Sequence, residues 1–262
     1  MTTLLEGRRI LVIGAGTRPS PDADSPVGNG RAASLLAARQ GAAVACLDRD
    51  AQSLRATVEM AKAESTAEER LAIAITADVS DADRCASAVE SAVAGLGGLD
   101  GLVLNVGVGM GRRLSETTVE DWDTTFAVNV RSHFLVCRAA MPSLAERSSI
   151  VFISSVAGLK PGSQIPAYDA SKAALAGLCR HVALEGARRQ IRANVVAPGL
   201  IDTPLGRVAS MGRPSRERTP VPMGRQGTAW EVAEAVVWLL SDAASYVTGQ
   251  VLAVDGGLST LI

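Results

Sequence analysis

Short apolar runs alternate with longer segments in which apolar residues recur every third or fourth position, from one end of the chain to the other. That alternation predicts βαβ units and a parallel sheet. Strands are expected near 9–14, 43–48, 71–77, 101–105, 149–154, 192–197 and 250–254. Helices are expected near 30–40, 50–64, 81–96, 119–144, 166–189 and 228–241. The strand runs are nearly all apolar rather than alternating apolar and polar, as happens when helices cover both faces of a sheet. The expectation is an α/β fold with a parallel sheet of seven strands. No repeat, low-complexity tract or linker interrupts it, so residues 1–262 read as one domain. The long Pro/Gly/Arg-rich segment 199–227 reads as a substrate loop.

Composition narrows the class. Apolar residues make up 47% and aromatics 3%, so the core is built of Ala, Val, Leu and Ile. A net charge of −1 gives no electrostatic footprint for nucleic acid. No apolar run is long enough to span a bilayer, and the N-terminus passes straight into a strand without a leader pattern. Cys46, Cys85, Cys137 and Cys179 are dispersed and read as buried thiols of a reducing compartment, hence the cytoplasm. His133 and His181 have no metal-like neighbours in sequence and read as helix-face residues; no metal site is expected.

Candidate chemistry gathers at the ends of the predicted strands. The first strand ends in Gly14-Ala15-Gly16, where glycines let the backbone approach a pyrophosphate and the next helix supplies N–H donors. Residues 18–27, with Pro19, Pro21 and Pro26, then intervene before Gly28-Asn29-Gly30 opens the first helix. This is read as an insertion within a phosphate loop that folds over or shields the ligand, with Arg18 beside it. The second strand ends in Asp48-Arg49. An acid there suits a ribose 2′-hydroxyl, whereas a 2′-phosphate about 4 Å away would cost on the order of 4 kcal/mol at an effective dielectric of about 20. NAD is therefore expected over NADP, with Arg49 and Arg18 the residues that would favour the 2′-phosphate. Asp50 suits a helix cap. Asp78-Val79 closes the third strand, with Asp78 toward an adenine edge and Ser80 or Asp81 as the next cap. Asn105-Val106-Gly107 closes the fourth, with small residues to admit a ribose and Asn105 bracing adjacent strands.

The fifth strand delivers Ser154 and Ser155, and after a Gly/Pro-rich loop Pro166 opens an Ala-rich helix. Tyr168 and Lys172, in Tyr-x-x-x-Lys spacing, share one face of it. A free phenol, with a pKa of about 10, is a poor base near neutrality; a nearby ammonium favours the phenolate. Ser155 would hold a substrate oxygen beside it.

Together these motifs resemble the short-chain dehydrogenase/reductase family, of the one-domain type. The residues that carry the resemblance are Gly14 with Gly28-Asn29-Gly30, Asp78-Val79, Asn105-Val106-Gly107, Asn129, Ser155, Tyr168-x-x-x-Lys172, Pro198-Gly199 with Thr203, and Val254-Asp255-Gly256-Gly257. They span the whole chain. The resemblance implies a Rossmann-like, doubly wound parallel sheet with helices on both faces, residues 1–262 forming one dinucleotide-binding and catalytic domain, a nicotinamide cofactor, and hydride transfer between NAD(H) and a secondary alcohol or ketone. It makes Tyr168 the acid/base, with Lys172 lowering its pKa and holding the nicotinamide ribose, and Ser155 polarising the substrate oxygen. Asn129 would hold a water leading from Lys172 to solvent. Pro198, Gly199 and Ile201 would shape the nicotinamide pocket, and Thr203 would bind the carboxamide. A homotetramer or homodimer is implied, with the helices carrying Asn129 and Tyr168 against partner copies. Two departures stand out: the interrupted glycine loop, and Val106 where the family has alanine.

Three readings compete: an NAD-dependent secondary-alcohol dehydrogenase, an NADPH-dependent reductase of 3-oxoacyl thioesters or other carbonyls, and a non-catalytic dinucleotide sensor. Ser155, Tyr168 and Lys172 argue against the last, because binding alone needs no acid/base pair. Arg207, Arg213, Arg216, Arg218 and Arg225 within 199–227, with Lys160, Arg112 and Arg113, raise the expectation of an anionic substrate. Asp255 is read as the organiser of the last turn, and Trp238 and Tyr246 as core or interface residues.

Overall fold

A computed structural model describes residues 3–19, 24–67, 71–211 and 220–261. Seven parallel strands form the main sheet: β1 (Arg9–Ile13), β2 (Ala43–Asp48), β3 (Ala72–Thr76), β4 (Leu99–Leu104), β5 (Leu144–Ile153), β6 (Arg192–Pro198) and, last in the chain, β9 (Val251–Val254). Their order is β3-β2-β1-β4-β5-β6-β9. The chain winds outward from β1 in one direction and then in the other from β4, so the strand order reverses between β1 and β4, where open α/β sheets bind ligands beyond their carboxyl ends.

The period of two in each strand explains why the runs look uniformly apolar. Ile10, Val12, Val44, Cys46, Val103, Val151 and Val196 point to one face. There α1 (Asn29–Arg39), α2 (Ala51–Glu64) and α9 (Ala229–Leu240) cover them. Leu11, Ile13, Ala45, Leu47, Leu102, Leu104, Ile150 and Phe152 point to the other, under α3 (Ala82–Leu96), α6 (Ser132–Ala140) and α7 (Pro166–Gly186). Two cores share one sheet, and every central strand is apolar on both sides. Caps fix the helix starts: Asp50 accepts from Gln52 and Ser53 N–H, and Asp81 from Asp83 and Arg84 N–H. Thr228 and Glu231 form a capping box at α9.

Two expectations need correction. The helix expected over 119–144 is α5 (Val119–Phe126), a π-helical turn over Ala127–Arg131, and α6; a turn through Pro142 then ends it, and Leu144 already belongs to β5. Proline lacks the N–H a helix needs and clashes with the preceding turn. The segment 199–227 is also not a loop throughout. It carries β7 (Ile201–Asp202), paired in parallel with β8 (Gly227–Thr228), and α8 (Pro204–Ser210). A short helix, α4 (Arg113–Glu116), follows β4. Pro21 of the insertion and Arg213, Arg216 and Arg218 lie outside the described residues. Among the described residues no helix is long and apolar enough to cross a membrane.

Candidate active site

The glycine loop is assembled by hydrogen bonds that bypass the insertion. At the end of β1, Gly14 takes φ +77°, and the N–H groups of Gly14 and Ala15 both donate to Leu47 O. Gly16 N–H donates to Asp48 Oδ2 (2.9 Å) and Thr17 N–H to Ser53 Oγ (2.7 Å). Gly28 N–H then donates to Thr17 Oγ1 at 3.2 Å. Thr17 thus pinches the base of the insertion shut, and Gly28 follows Thr17 in space as though residues 18–27 were absent. Helix α1 lies so close to β1 that a Cβ on Gly30 would sit 1.9 Å from Gly14 O.

Asp48, at the end of β2, accepts from Gly16 N–H through one oxygen and from Asp50 N–H through the other. Asp78, beyond β3, accepts from the N–H and hydroxyl of Ser80, which hold its carboxyl below the usual range. Asn105 Nδ2 donates to Gly14 O (2.9 Å), bracing β4 against the glycine turn. Gly14, Gly16, Arg18, Gly28, Asn29, Gly30, Asp48, Arg49, Asp78, Val79, Asn105, Val106 and Gly107 all line one cleft of about 720 Å³, which Thr203, Tyr168 and Lys172 close on its far side.

Tyr168 and Lys172 are held by backbone on every side. Ser154 Oγ donates to the backbone carbonyl of Lys172 (2.7 Å), tying the end of β5 to α7. Ser155 is extended, and its Oγ accepts from Ala157 N–H (3.2 Å), starting a 3₁₀ turn over Val156–Gly158. Gly158 packs directly on α7: a Cβ there would lie 2.6 Å from the backbone of Lys172. Lys172 is 4% exposed. Its Nζ donates to Ile153 O (2.9 Å) and stands 5.7 Å from the centre of the Tyr168 ring. Burial brings the Lys172 pKa down from 10.5 to about 8.

Beneath this pair the π-helical turn aims Asn129 inward. Its Oδ1 accepts from Val108 N–H, and its Nδ2 donates to Val108 O and to Ser171 Oγ, which itself donates to Tyr168 O. Extra turns of this kind are frequent at functional sites. Asn129 lines neither cavity; it fixes the loop after β4 against α7. His133, one helical turn on, is fully buried, and burial lowers its pKa to about 3, so it is neutral.

A second cavity, also about 720 Å³, adjoins the cleft, and Ser155, Pro198, Gly199 and Ile201 line it rather than the first. Tyr168, Ser154, Asn29 and Thr203 line both. Thr203 also caps α8, its Oγ1 accepting from Gly206 N–H. Of the arginines expected to charge the substrate loop, Arg207 is paired with Asp202 (2.7 Å) and Arg225 with Glu231 (2.6 Å). Sequence reasoning missed Thr17 and Ser53 as closers of the glycine loop, Gly158 as the seat of α7, and Ser171 as the link from Asn129 to Tyr168. The only signal for the last was its place next to Lys172.

The cleft suits a dinucleotide on its own evidence. Backbone N–H groups crowd the first turn, a carboxylate stands at the β2 end, and Gly107 leaves a gap in which a Cβ would come within 3.1 Å of Lys172 Nζ. Asn29 Oδ1 is buried with no hydrogen-bond partner, an acceptor facing this crevice.

Comparison with known proteins agrees. The family described as enoyl-(acyl carrier protein) reductase matches residues 25–259. The chain is 40% identical over 233 residues to the inactive 2-(S)-hydroxypropyl-CoM dehydrogenase 2 of Xanthobacter autotrophicus, covering 86% of this chain and 98% of that one. It is 35% identical over 258 residues to the 3-oxoacyl-(acyl-carrier-protein) reductase of Thermotoga maritima, covering 97% and 98%. Among solved structures, a blue fluorescent protein from a metagenomic library, in complex with NADPH, superposes with a TM-score of 0.86 at 34% identity over 98% of this chain and all of that one. By sequence match and by fold, this chain belongs to the short-chain dehydrogenase/reductase family of oxidoreductases.

Proposed function

We propose that the protein is an NAD(H)-dependent dehydrogenase of secondary alcohols, working reversibly with the ketone, and that residues 1–262 act as one unit with 199–227 as its substrate segment. One observation carries this reading: Tyr168 lines both cavities, so its phenol stands where a ligand of the cleft and a ligand of the second cavity would meet. When bound, a nicotinamide supplies the hydride acceptor or donor. The protein's part is the proton. Tyr168 takes it from the alcohol hydroxyl in oxidation and returns it in reduction, beside the Lys172 ammonium that favours a charged phenolate. Ser155 orients the substrate oxygen. Asn129, Ser154 and Ser171 are positioning residues that fix α7 and the loop after β4.

Asp48 supports NAD over NADP, since its carboxylate lies at the β2 end of the cleft. A second reading, an NADPH-dependent carbonyl reductase, draws on Arg18 and Arg49 in the same cleft, on the similarity to a 3-oxoacyl-(acyl-carrier-protein) reductase and on the similarity to a protein bound to NADPH. We further propose a cytoplasmic homotetramer or homodimer; Phe134 on α6 and Leu184 on α7 are exposed apolar side chains on the helices expected at the contact.

The test is a panel of secondary alcohols and ketones run with NAD and NADP in parallel on the parent and on Tyr168→Phe. The expected result is turnover that prefers NAD and falls by about 10³-fold or more in the variant, the upper side of what one positioned proton-transfer group provides, with cofactor affinity little changed. Near-normal turnover by Tyr168→Phe removes the assignment. Tight cofactor binding without turnover of any panel member returns the protein to a binding role.

A further inference from the structure

The second cavity has an unbalanced charge. Its lining includes Arg18, Arg112 and Lys160, and among the described residues no Asp or Glu lines it. Arg18 lines the cleft as well and so stands where cofactor phosphates would pass; Arg112 and Lys160 belong to the second cavity alone. Arg112 is exposed and has no ion pair among the described residues. Its neighbour Arg113 is turned away, 3.9 Å from Glu116, as Arg207 and Arg225 are neutralised elsewhere. Arg112 is the cation that this cavity adds to the site and that no carboxylate pairs among the described residues.

Their placement is built rather than incidental. Arg113 and Gln164 both carry side chains at left-handed φ, 54° and 60°, a conformation kept only where surrounding structure imposes it. Here the two are joined, Arg113 N–H donating to Gln164 O at 2.8 Å. That bond fastens the segment carrying Arg112 to the loop carrying Lys160. Ile165, Leu200, Leu205 and Val208 supply an apolar stretch of the same wall.

Resting on the dehydrogenase reading above, we propose that the substrate is a secondary alcohol or ketone with an apolar body and an anionic oxyacid tail, a carboxylate being the simplest, and that Arg112 binds that tail with Lys160 in support. A guanidinium presents paired N–H donors that match a carboxylate edge. The substrate oxygen then faces Ser155 and Tyr168 while the apolar body lies along α8.

The experiment uses 4-oxopentanoate, 5-oxohexanoate and 6-oxoheptanoate with their methyl esters, each reduced with NADH and with NADPH. The best acid is expected to exceed its ester at least tenfold in kcat/KM, mainly through KM, and its KM should rise with ionic strength. Arg112→Met should bring the acid-to-ester ratio toward one, and Arg112→Lys should retain part of it. A ratio near one in the unaltered protein, or the same ratio in Arg112→Met, overturns the assignment. Absence of turnover for every compound with both cofactors overturns the dehydrogenase reading instead. Calorimetry then decides the charge question alone. On NAD-loaded Tyr168→Phe protein, at least tenfold tighter binding of 5-oxohexanoate than of its ester upholds the anion site, and equal affinity overturns it.

Discussion

The two cavities that meet at Tyr168 are of equal size and of opposite construction. The cleft is made at strand ends, from glycines, backbone N–H groups and the carboxylates of Asp48, Asp50 and Asp78, and its parts are locked to each other by short bonds such as Gly16 to Asp48 and Asn105 to Gly14. The second cavity is made between loops, from Arg112, Lys160, the 3₁₀ turn at Val156–Gly158 and α8. In the first, geometry is set by how closely main chains approach, and side chains are mostly in the way. In the second, side-chain chemistry decides, and the backbone only carries it. A site built from backbone has few tolerated substitutions and one class of ligand. A site built on loops is free to change its ligand without disturbing the fold. The shared wall of Ser154, Tyr168 and Thr203 is where the two designs must agree.

The sharpest way to break this contrast is to add one methyl group on each side. Gly30→Ala places a Cβ 1.9 Å from Gly14 O, against backbone that has nowhere to go. Overpacking of that kind costs about 3 kcal/mol, and displacing α1 removes the N-terminal N–H groups from the cleft. Cofactor affinity should fall at least 100-fold, with a clearly lower Tm. Gly162→Ala, on the rim of the second cavity, meets nothing within 4 Å and should leave both near the parent values. Thermal unfolding and a fluorescence titration with NADH measure the two effects. Equal tolerance at both positions would mean that the cleft is not fixed by main-chain contact.

The shared wall is tested by pH. Burial lowers Lys172 to about 8 in the folded protein, so its ammonium is populated below that pH. The kcat/KM for ketone reduction should therefore show an alkaline limb with its midpoint near pH 8, falling tenfold per unit above it, since this ratio reports groups of the free enzyme. Stability moves the other way. An unfolded lysine titrates near 10.5, so between pH 8 and 10.5 the unfolded chain binds the extra proton and the fold gains stability as pH rises. Relative to Lys172→Met, the parent should gain up to about 3 kcal/mol across that window. A limb that stays at the same pH in Lys172→Arg, whose charge does not titrate, would assign it to another group.

The same division explains what the chain disclosed before it was folded. Strands buried on both faces are continuous apolar runs, so all seven were legible to within a few residues, apart from the early start of β5 at Leu144. Tyr168 and Lys172 were legible as a pair because helical period alone puts them on one face. Asp50 and Asp81 were legible as caps because capping is local. What stayed hidden depends on partners distant in sequence. The pinch of Thr17 on Gly28 could not be read, so the insertion looked like a break in the phosphate loop. The π-helical turn that aims Asn129 inward looked like unbroken helix. Arg207 of the substrate segment looked like free charge until Asp202 was seen beside it, whereas Arg225, which reads as an anchor of the segment's end, is paired with Glu231. Backbone-built sites announce themselves through glycine and strand ends; loop-built sites do not.

The finest comparison lies within the cleft, at Asp48, where a side chain rather than the main chain sets the preference. Its two oxygens accept from Gly16 and Asp50 N–H, and each retains further lone-pair capacity for a ribose hydroxyl. Asn in its place keeps the shape and one oxygen acceptor, removes the charge, and loses one of the two N–H bonds because its amide nitrogen can only donate. A 2′-phosphate would then lose the like-charge penalty, which at about 4 Å and an effective dielectric of about 20 is on the order of 4 kcal/mol before solvent screening. Asp48 is partly exposed, so solvent screens much of that penalty. Asp48→Asn should therefore lower the NAD-to-NADP ratio of kcat/KM by about tenfold, or roughly 1.4 kcal/mol, with a small drop in Tm from the lost N–H bond. Because Arg18 and Arg49 already line the same cleft, the shift should come through a lower KM for NADP rather than a lost affinity for NAD. A ratio that stays constant would place the 2′ position of the ribose away from Asp48 and leave the choice of cofactor to the arginines.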